Sequence, residues 1–100
     1  HVIAAVLSIF PEWQAWNRDN IVDYQEVYIK SSNDFLEKRD ENNLYSQAKS
    51  GLIENVVGID IPFPEPKNPD LVIENNIDRS DFSPMLKEIL LLEKVRELLK

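Results

Sequence analysis

Residues 26–30, Glu-Val-Tyr-Ile-Lys, alternate polar side chains with β-branched and aromatic ones, which predicts a β-strand. A further strand candidate, Asp-Leu-Val-Ile-Glu, occupies residues 70–74. Residues 2–7, Val-Ile-Ala-Ala-Val-Leu, are apolar throughout and stop at Ser8, a pattern typical of a strand buried on both faces of a parallel sheet. The sequence therefore predicts three strands around which the remaining segments are arranged.

Helix signals separate and follow these strands. Pro11 suits a first helical turn, because its missing N–H would have no partner there in any case. Ser32 or Asn33 can cap a helix further along, and Ser80 or Ser83 can cap the last one. The predicted helices begin at Pro11, span residues 34–39 and 44–50, and extend from Pro84 to Leu99. Strands separated by helices favour a layered α/β unit with parallel strands, and three short strands are too few to complete its sheet.

The composition of the 100 residues is that of one ordinary globular domain, with 43% hydrophobic and 29% charged residues. The formal net charge is −7, and an acidic surface repels phosphate backbones and anionic lipids, so we expect neither nucleic acid nor a membrane as a partner. The lack of cysteine excludes disulfides and cysteine-ligated metals, and His1 is the single histidine. We expect a reducing, cytoplasmic setting and identify no metal ligands in the chain.

A phosphate-binding loop of the form Gly-x-x-x-x-Gly-Lys-Ser/Thr wraps phosphates with backbone N–H groups and brings a lysine to them. The two glycines of the chain, Gly51 and Gly58, have the wrong spacing, and neither precedes a lysine. This sequence therefore cannot form that loop by itself. Because His1 leads directly into an apolar run, we expect that an amino-terminal half is missing from it.

Three motifs follow one another in the second half of the chain. Residues 43–51 read Asn-Leu-Tyr-Ser-Gln-Ala-Lys-Ser-Gly, residues 55–60 read Asn-Val-Val-Gly-Ile-Asp, and residues 62–73 read Pro-Phe-Pro-Glu-Pro-Lys-Asn-Pro-Asp-Leu-Val-Ile. Their order resembles the carboxyl-terminal half of the adenylyl-sulfate kinase family, in a divergent branch. Upstream pieces agree in order with the same family at residues 7–8, 26–30 and 37–40.

The resemblance implies the three-layer parallel sheet of a P-loop kinase, of which residues 1–100 would form the carboxyl-terminal half as a single partial domain. Such an enzyme uses ATP and Mg²⁺ to phosphorylate the 3′-hydroxyl of adenylyl sulfate, giving 3′-phosphoadenylyl sulfate in sulfate assimilation. Its catalysis consists mostly of positioning and of neutralising negative charge. We expect the chain to be inactive alone, because the phosphate-binding loop is absent.

The resemblance also implies roles for individual residues. Residues 44–69 would form a lid and a proline-rich loop that close over the nucleotide. Ser8 would be catalytic, unless it merely ends a strand, and Arg39 and Lys67 would lie on the ATP side, unless Arg39 is only part of a surface ion pair. The lid residues that face the substrate would be Leu44, Tyr45, Lys49, Gly51, Val56, Gly58, Ile59 and Asp60.

The chain departs from the family pattern at several of these positions. Val56 replaces the lid phenylalanine that stacks on the adenine of the acceptor, and Ser46 and Gln47 replace basic residues. Aromatic stacking on a base contributes about 1–3 kcal/mol, so the acceptor could be another nucleotide, such as cytidine diphosphoramidate. A third hypothesis is a non-catalytic binding or assembly module, including a homodimer formed through the leucine-rich last helix.

Overall fold

A computed structural model describes residues 1–40 and 42–100 of the chain. Its regular elements, in chain order, are α1 (Pro11–Asn20), β1 (Val27–Lys30), α2 (Asn33–Lys38), α3 (Leu44–Lys49), β2 (Leu71–Glu74), α4 (Ser83–Leu90) and α5 (Glu93–Leu98). The long connection from α3 to β2 contains the proline-rich segment and has no further helix or paired strand of its own in the described residues.

In the described part of the chain, β1 and β2 pair in parallel as a two-stranded sheet. The register begins with Val27 opposite Leu71 and ends with Lys30 opposite Glu74. Parallel neighbours need a long crossover connection, and α2 and α3 lie within it. The two strand predictions and the parallel arrangement are therefore confirmed, each strand starting one residue later than the sequence pattern suggests.

The strand predicted for residues 2–7 is wrong. Residues 1–10 are assigned to no helix or strand, and the apolar side chains of this segment are solvent-exposed, with Ile3 99% exposed. A strand is stabilised by the ladder of hydrogen bonds to a neighbour, and this segment pairs with neither β1 nor β2. Apolar content alone therefore does not establish a strand here.

The predictions for the first three helices are confirmed, with small shifts of their ends. Pro11 occupies the first turn of α1, and Glu12 places a carboxylate near the positive end of the helix dipole. The Ser32 hydroxyl caps α2 by accepting a hydrogen bond from the Phe35 N–H at 3.2 Å. Gly51 follows the end of α3 with φ at +80°, a conformation that glycine adopts without a Cβ penalty.

The prediction of one continuous carboxyl-terminal helix is wrong. The helix divides into α4 and α5 at Leu92, whose backbone is extended at φ −57° and ψ 135°. The break allows Lys94 on α5 to pair with Asp23, which lies in the turn after α1, at 3.3 Å. The helical spacing of the leucines reflects only the local sequence. It therefore cannot predict a tertiary contact such as that between Lys94 and Asp23.

The N-terminal cap of α4 also differs from the prediction of Ser80 or Ser83. Phe82 is the N-cap residue and makes no side-chain cap, whereas Ser83 is already helical. The Asp81 carboxylate instead accepts a hydrogen bond from the Ser83 N–H at 2.9 Å, and the hydrogen bonds from Ser83 lower the pKa of Asp81. An acidic side chain thus takes the role expected of serine.

Few side chains are buried, and the buried apolar ones are Ala48, Val56, Ile73 and Met85. Ile73 of β2 is 3% exposed, and α4 contacts β2 on that side of the sheet. Large apolar side chains remain exposed elsewhere, including Trp13, which is 60% exposed on α1. Exposed apolar surface in such quantity is typical of faces that other polypeptide segments cover.

The Asp70 carboxylate joins three parts of the fold. It accepts hydrogen bonds from the Glu26 N–H at 2.7 Å and from the Arg18 guanidinium at 3.0 Å. Arg18, on α1, also donates to the Asn68 carbonyl at 2.9 Å and lies over the ring of Tyr24. Partial burial acts to raise the pKa of Asp70, but the hydrogen bonds from Arg18 and Glu26 outweigh it and hold that pKa below its ordinary value. The Asp70 carboxylate therefore holds α1 and the first residues of both strands together.

Replacing Asp70 by asparagine should lower the free energy of unfolding by about 1–3 kcal/mol, because the Arg18 guanidinium loses its charged partner. Because the folded-state pKa of Asp70 is depressed, its stabilisation is present above pH 3.8 and is lost as pH falls through the lower folded-state pKa. Urea unfolding above and well below pH 3.8 measures both effects.

The control for this substitution is Asp78→Asn, which removes an exposed carboxylate paired with Arg39. We expect it to change stability little, because exposed ion pairs contribute weakly. Equal losses for the two variants, or a loss for Asp70→Asn that stays the same at low pH, would contradict the assignment.

Candidate functional site

An open groove of about 1550 Å³ lies beside the sheet. Residues of β1, α2, α3 and the segment 53–65 line it, together with Leu7. Six of the eight predicted substrate-facing residues are among these lining residues: Leu44, Tyr45, Lys49, Val56, Gly58 and Ile59. The structure thus brings most of the predicted lid residues to one concave surface, whereas Gly51 and Asp60 support that surface from outside its lining.

The turn at residues 55–61 forms one wall of the groove. The Asp60 carboxylate accepts hydrogen bonds from the Asn55 and Val56 N–H groups, both at 2.6 Å, and these bonds, that from Val56 foremost, lower the pKa of Asp60. The Gly58 N–H donates to the Ile61 carbonyl at 2.7 Å, and Gly58 has φ at +92°. The turn is therefore built around a carboxylate and a glycine that the sequence motif contains.

Val56 lies at the centre of this turn and is 7% exposed. Its side chain lines the groove while its N–H is held by Asp60. A small aliphatic side chain at this point gives the groove a smooth apolar wall. It offers no aromatic face for a base to stack on.

An aromatic wall is nevertheless present on the other side, at Tyr28 and Phe63. Their rings stack with centroids 6.1 Å apart and an angle of 29° between planes. Glu65 secures this contact, since it accepts a hydrogen bond from the Tyr28 hydroxyl at 3.4 Å and pairs with Lys30 at 3.0 Å. Burial, with Glu65 adding to it, raises the pKa of Tyr28, and the hydrogen bond to Glu65 raises that of Lys30. These contacts hold the proline-rich loop against β1.

Sequence reasoning did not identify Tyr28 or Phe63 as site residues. Both belong to predicted segments, the strand at residues 26–30 and the proline-rich segment, but α2 and α3 lie between them in the chain. Only the pairing of the strands brings the two rings together.

Acidic residues also position α3 along the groove. The Asp40 carboxylate accepts a hydrogen bond from the Tyr45 N–H at 2.7 Å in the first turn of α3. Asn43, immediately before the helix, has φ at +53°. At the other end of α3, Lys49 pairs with Glu37 of α2. The roles of Glu37 and Asp40 were also missed, although both lie in the motif at residues 37–40.

Besides Gly51 and Asp60, three further predicted site residues do not line this groove. The Ser8 hydroxyl accepts a hydrogen bond from the Gln14 amide at 3.1 Å, and its neighbour Leu7 reaches the groove instead. Arg39 pairs with Asp78 at 3.4 Å on the surface. Lys67 lines a separate cleft of about 230 Å³ between α1 and the proline-rich loop. The proposed ATP-side residues are therefore not brought together in the described structure.

Within residues 1–40 and 42–100, no group of three or more His, Cys, Asp or Glu side chains is arranged to hold a metal ion. None of the helices in the same two ranges is both long enough and apolar enough to cross a membrane.

The described residues form an α/β unit in which two parallel strands are joined by a helical crossover, and the groove lies beside them. The family model described as adenylylsulphate kinase matches residues 1–74. The chain belongs to this family, whose fold is that of the P-loop kinases.

Curated relatives of two activities are similar to the chain. Cytidine diphosphoramidate kinase of Campylobacter jejuni is 41% identical over 75 residues, which are 75% of this chain and 44% of the relative. Adenylyl-sulfate kinase of Bacillus velezensis is 40% identical over 76 residues, 74% of this chain and 39% of the relative. A probable adenylyl-sulfate kinase of Archaeoglobus fulgidus is 34% identical over 79% of this chain and 50% of its own length. The matches thus span half or less of these relatives, and no solved structure matches the chain significantly.

Replacing Asp60 by asparagine should accelerate hydrogen exchange at the Asn55 and Val56 amides, because a neutral amide accepts their hydrogen bonds more weakly than a carboxylate. In the unmodified chain the same loss should occur as pH falls below 3.8 and through the lowered pKa of Asp60. Amide exchange measured by NMR tests both expectations. Glu54→Gln is the control, and equal acceleration in the two variants would show that Asp60 does not hold the turn.

Proposed function

We propose that the chain supplies the lid and the acceptor side of a kinase that transfers the γ-phosphate of ATP to the 3′-hydroxyl of adenylyl sulfate. The observation that carries this proposal is the gathering of six predicted lid residues around one groove. Membership of the adenylylsulphate kinase family and the activity named for the Bacillus velezensis relative support the choice of reaction.

The groove suits the positioning that phosphoryl transfer requires. Tyr28 and Phe63 offer an aromatic surface for a base, and Lys49 offers a positive charge for a phosphate. Gly51 and Gly58, both at positive φ, are the points at which the segment between them can turn. Closure of this segment would exclude water, so that the phosphoryl group is passed to the sugar hydroxyl.

The roles of Ser8, Arg39 and Lys67, which do not line the groove, remain part of the proposal. Ser8 can contact an acceptor only if the hydrogen bond from Gln14 is released, and Arg39 can meet a phosphate only if it leaves Asp78. Lys67 and Arg18 both border the smaller cleft. Under the proposal, this cleft lies on the ATP side.

The described residues do not fit the role of a complete binding site for ATP and Mg²⁺. The chain lacks the glycine-rich phosphate loop, and no cluster of metal-binding side chains occurs among residues 1–40 and 42–100. Under the proposal, residues outside this chain hold the metal and the triphosphate, and the isolated chain is inactive.

A second acceptor is favoured by a specific observation at Val56. The buried valine leaves that wall of the groove without an aromatic ring, so a purine gains less from stacking there. The Campylobacter jejuni relative is named for cytidine diphosphoramidate, and the same 3′-phosphorylation of that nucleotide is our second candidate function.

The proposed activity is testable in a hybrid enzyme. The chain is joined to the portion of the Bacillus velezensis relative that its match leaves uncovered, and ATP turnover is assayed with adenylyl sulfate and with cytidine diphosphoramidate. We expect phosphorylation of at least one acceptor by the hybrid and none by the chain alone, because only the hybrid has a phosphate-binding loop.

A folded hybrid that uses neither acceptor would contradict the kinase proposal. If the chain in addition binds no nucleotide by calorimetry and forms a stable dimer by light scattering, the assembly hypothesis takes its place. The exposed leucines of α4 and α5 are the surface that such a homodimer would use.

In the same hybrid, Val56→Phe should raise the affinity for adenylyl sulfate by up to about tenfold, because a ring at this wall can stack on adenine. The KM values for both acceptors measure the change. Val57→Phe, at the neighbouring residue that also lines the groove, is the matched control. An equal change in the two variants, or no change in Val56→Phe, would refute the stacking argument.

A further inference from the structure

The ion pair between Glu37 and Lys49 connects two helices at the groove. Glu37 lies in α2, Lys49 is the last residue of α3, and both side chains line the groove. The side chains are 41% and 54% exposed respectively, so a ligand in the groove can reach them. The pair is therefore both a link between α2 and α3 and part of the surface that a ligand meets.

The ion pair between Glu37 and Lys49 affects anion binding because the groove is mostly acidic. Among the described residues that line the groove, Lys49 is the one basic side chain, whereas Asp34, Glu37, Glu54 and Glu65 are acidic. An ammonium group paired with a carboxylate has no net charge, and its attraction for an approaching phosphate is correspondingly weaker. An anionic ligand must therefore compete with Glu37 for Lys49.

We propose that Glu37 sets the anion affinity of the groove by competing with the phosphate of the ligand for Lys49. This inference rests on the proposed nucleotide-binding function of the groove and deepens it. Because Glu37 acts through Lys49, it is a positioning residue. When an anion takes Lys49, the link between α2 and α3 opens at one end, while the hydrogen bond from the Tyr45 N–H to Asp40 still holds the other.

The test measures pyrophosphate binding to the 100-residue chain by calorimetry. Glu37→Gln should bind pyrophosphate about two- to fivefold more tightly, the factor expected when an exposed ion pair no longer competes. Glu37→Asp keeps the negative charge and should restore weaker binding. Glu54→Gln is the matched control, because it removes the same charge from the groove without removing the partner of Lys49, and we expect a smaller gain from it.

The decisive comparison repeats Glu37→Gln in a Lys49→Gln background, as a double-mutant cycle. The gain in affinity should disappear there, because no ammonium group remains to be released. A gain that persists without Lys49, equal gains for Glu37→Gln and Glu54→Gln, or no pyrophosphate binding by any variant would overturn the proposal.

A negative result of this experiment can be distinguished from a negative result in the test of the kinase function. A hybrid enzyme without phosphoryl transfer would remove the proposed reaction and leave the dependence of pyrophosphate binding on Glu37 and Lys49 intact. Conversely, the hybrid could be active while the chain binds pyrophosphate equally well with and without the Glu37 carboxylate. That result would refute only the competition between Glu37 and the anion for Lys49.

Discussion

The arrangement of the whole molecule depends on one carboxylate, that of Asp70. It accepts hydrogen bonds from the backbone of Glu26 and from Arg18, and it thereby connects α1 with the first residues of both strands. Parallel strands so far apart in sequence have no tight turn to help set their register, and the Asp70 contact ties together the end at which both begin. The register in turn brings the proline-rich loop against β1 and gives the groove its aromatic wall.

Carboxylates repeat this structural role around the groove. Asp60 binds the backbone of the turn that contains Val56, Asp40 binds the first turn of α3, and Glu37 holds Lys49. The negative charge of the chain is thus used in part to satisfy backbone N–H groups in turns and at the start of helices. Under the proposed function, a groove assembled in this way can change shape when a single carboxylate exchanges its partner.

The described residues bury few apolar side chains. The chain's matches span half or less of the named relatives, the chain lacks a phosphate-binding loop, and residues 2–7 and the tryptophans of α1 remain exposed. Under the proposed function these apolar faces are where the rest of the enzyme packs. The groove then lies at the boundary between the lid described here and the phosphate-binding machinery that the chain does not contain.

The sequence by itself determined the short-range features: the strands at residues 26–30 and 70–74, the helix that Gly51 follows, and the ordered motifs that resemble the adenylylsulphate kinase family. These depend on side-chain alternation, capping and turn chemistry, which act between residues close in the chain. The strand at residues 2–7 and the continuous last helix were predicted wrongly. The first segment pairs with neither strand of the sheet, and the last helix is interrupted at the extended backbone of Leu92.

Tertiary structure alone decided which of the motif residues meet. It stacked Tyr28 on Phe63, turned Arg39 away towards Asp78 and placed Glu37 on Lys49. Each of these partnerships joins residues from different elements. Their side chains come together only after β1 and β2 pair and the crossover folds over the sheet, and no local pattern encodes that geometry.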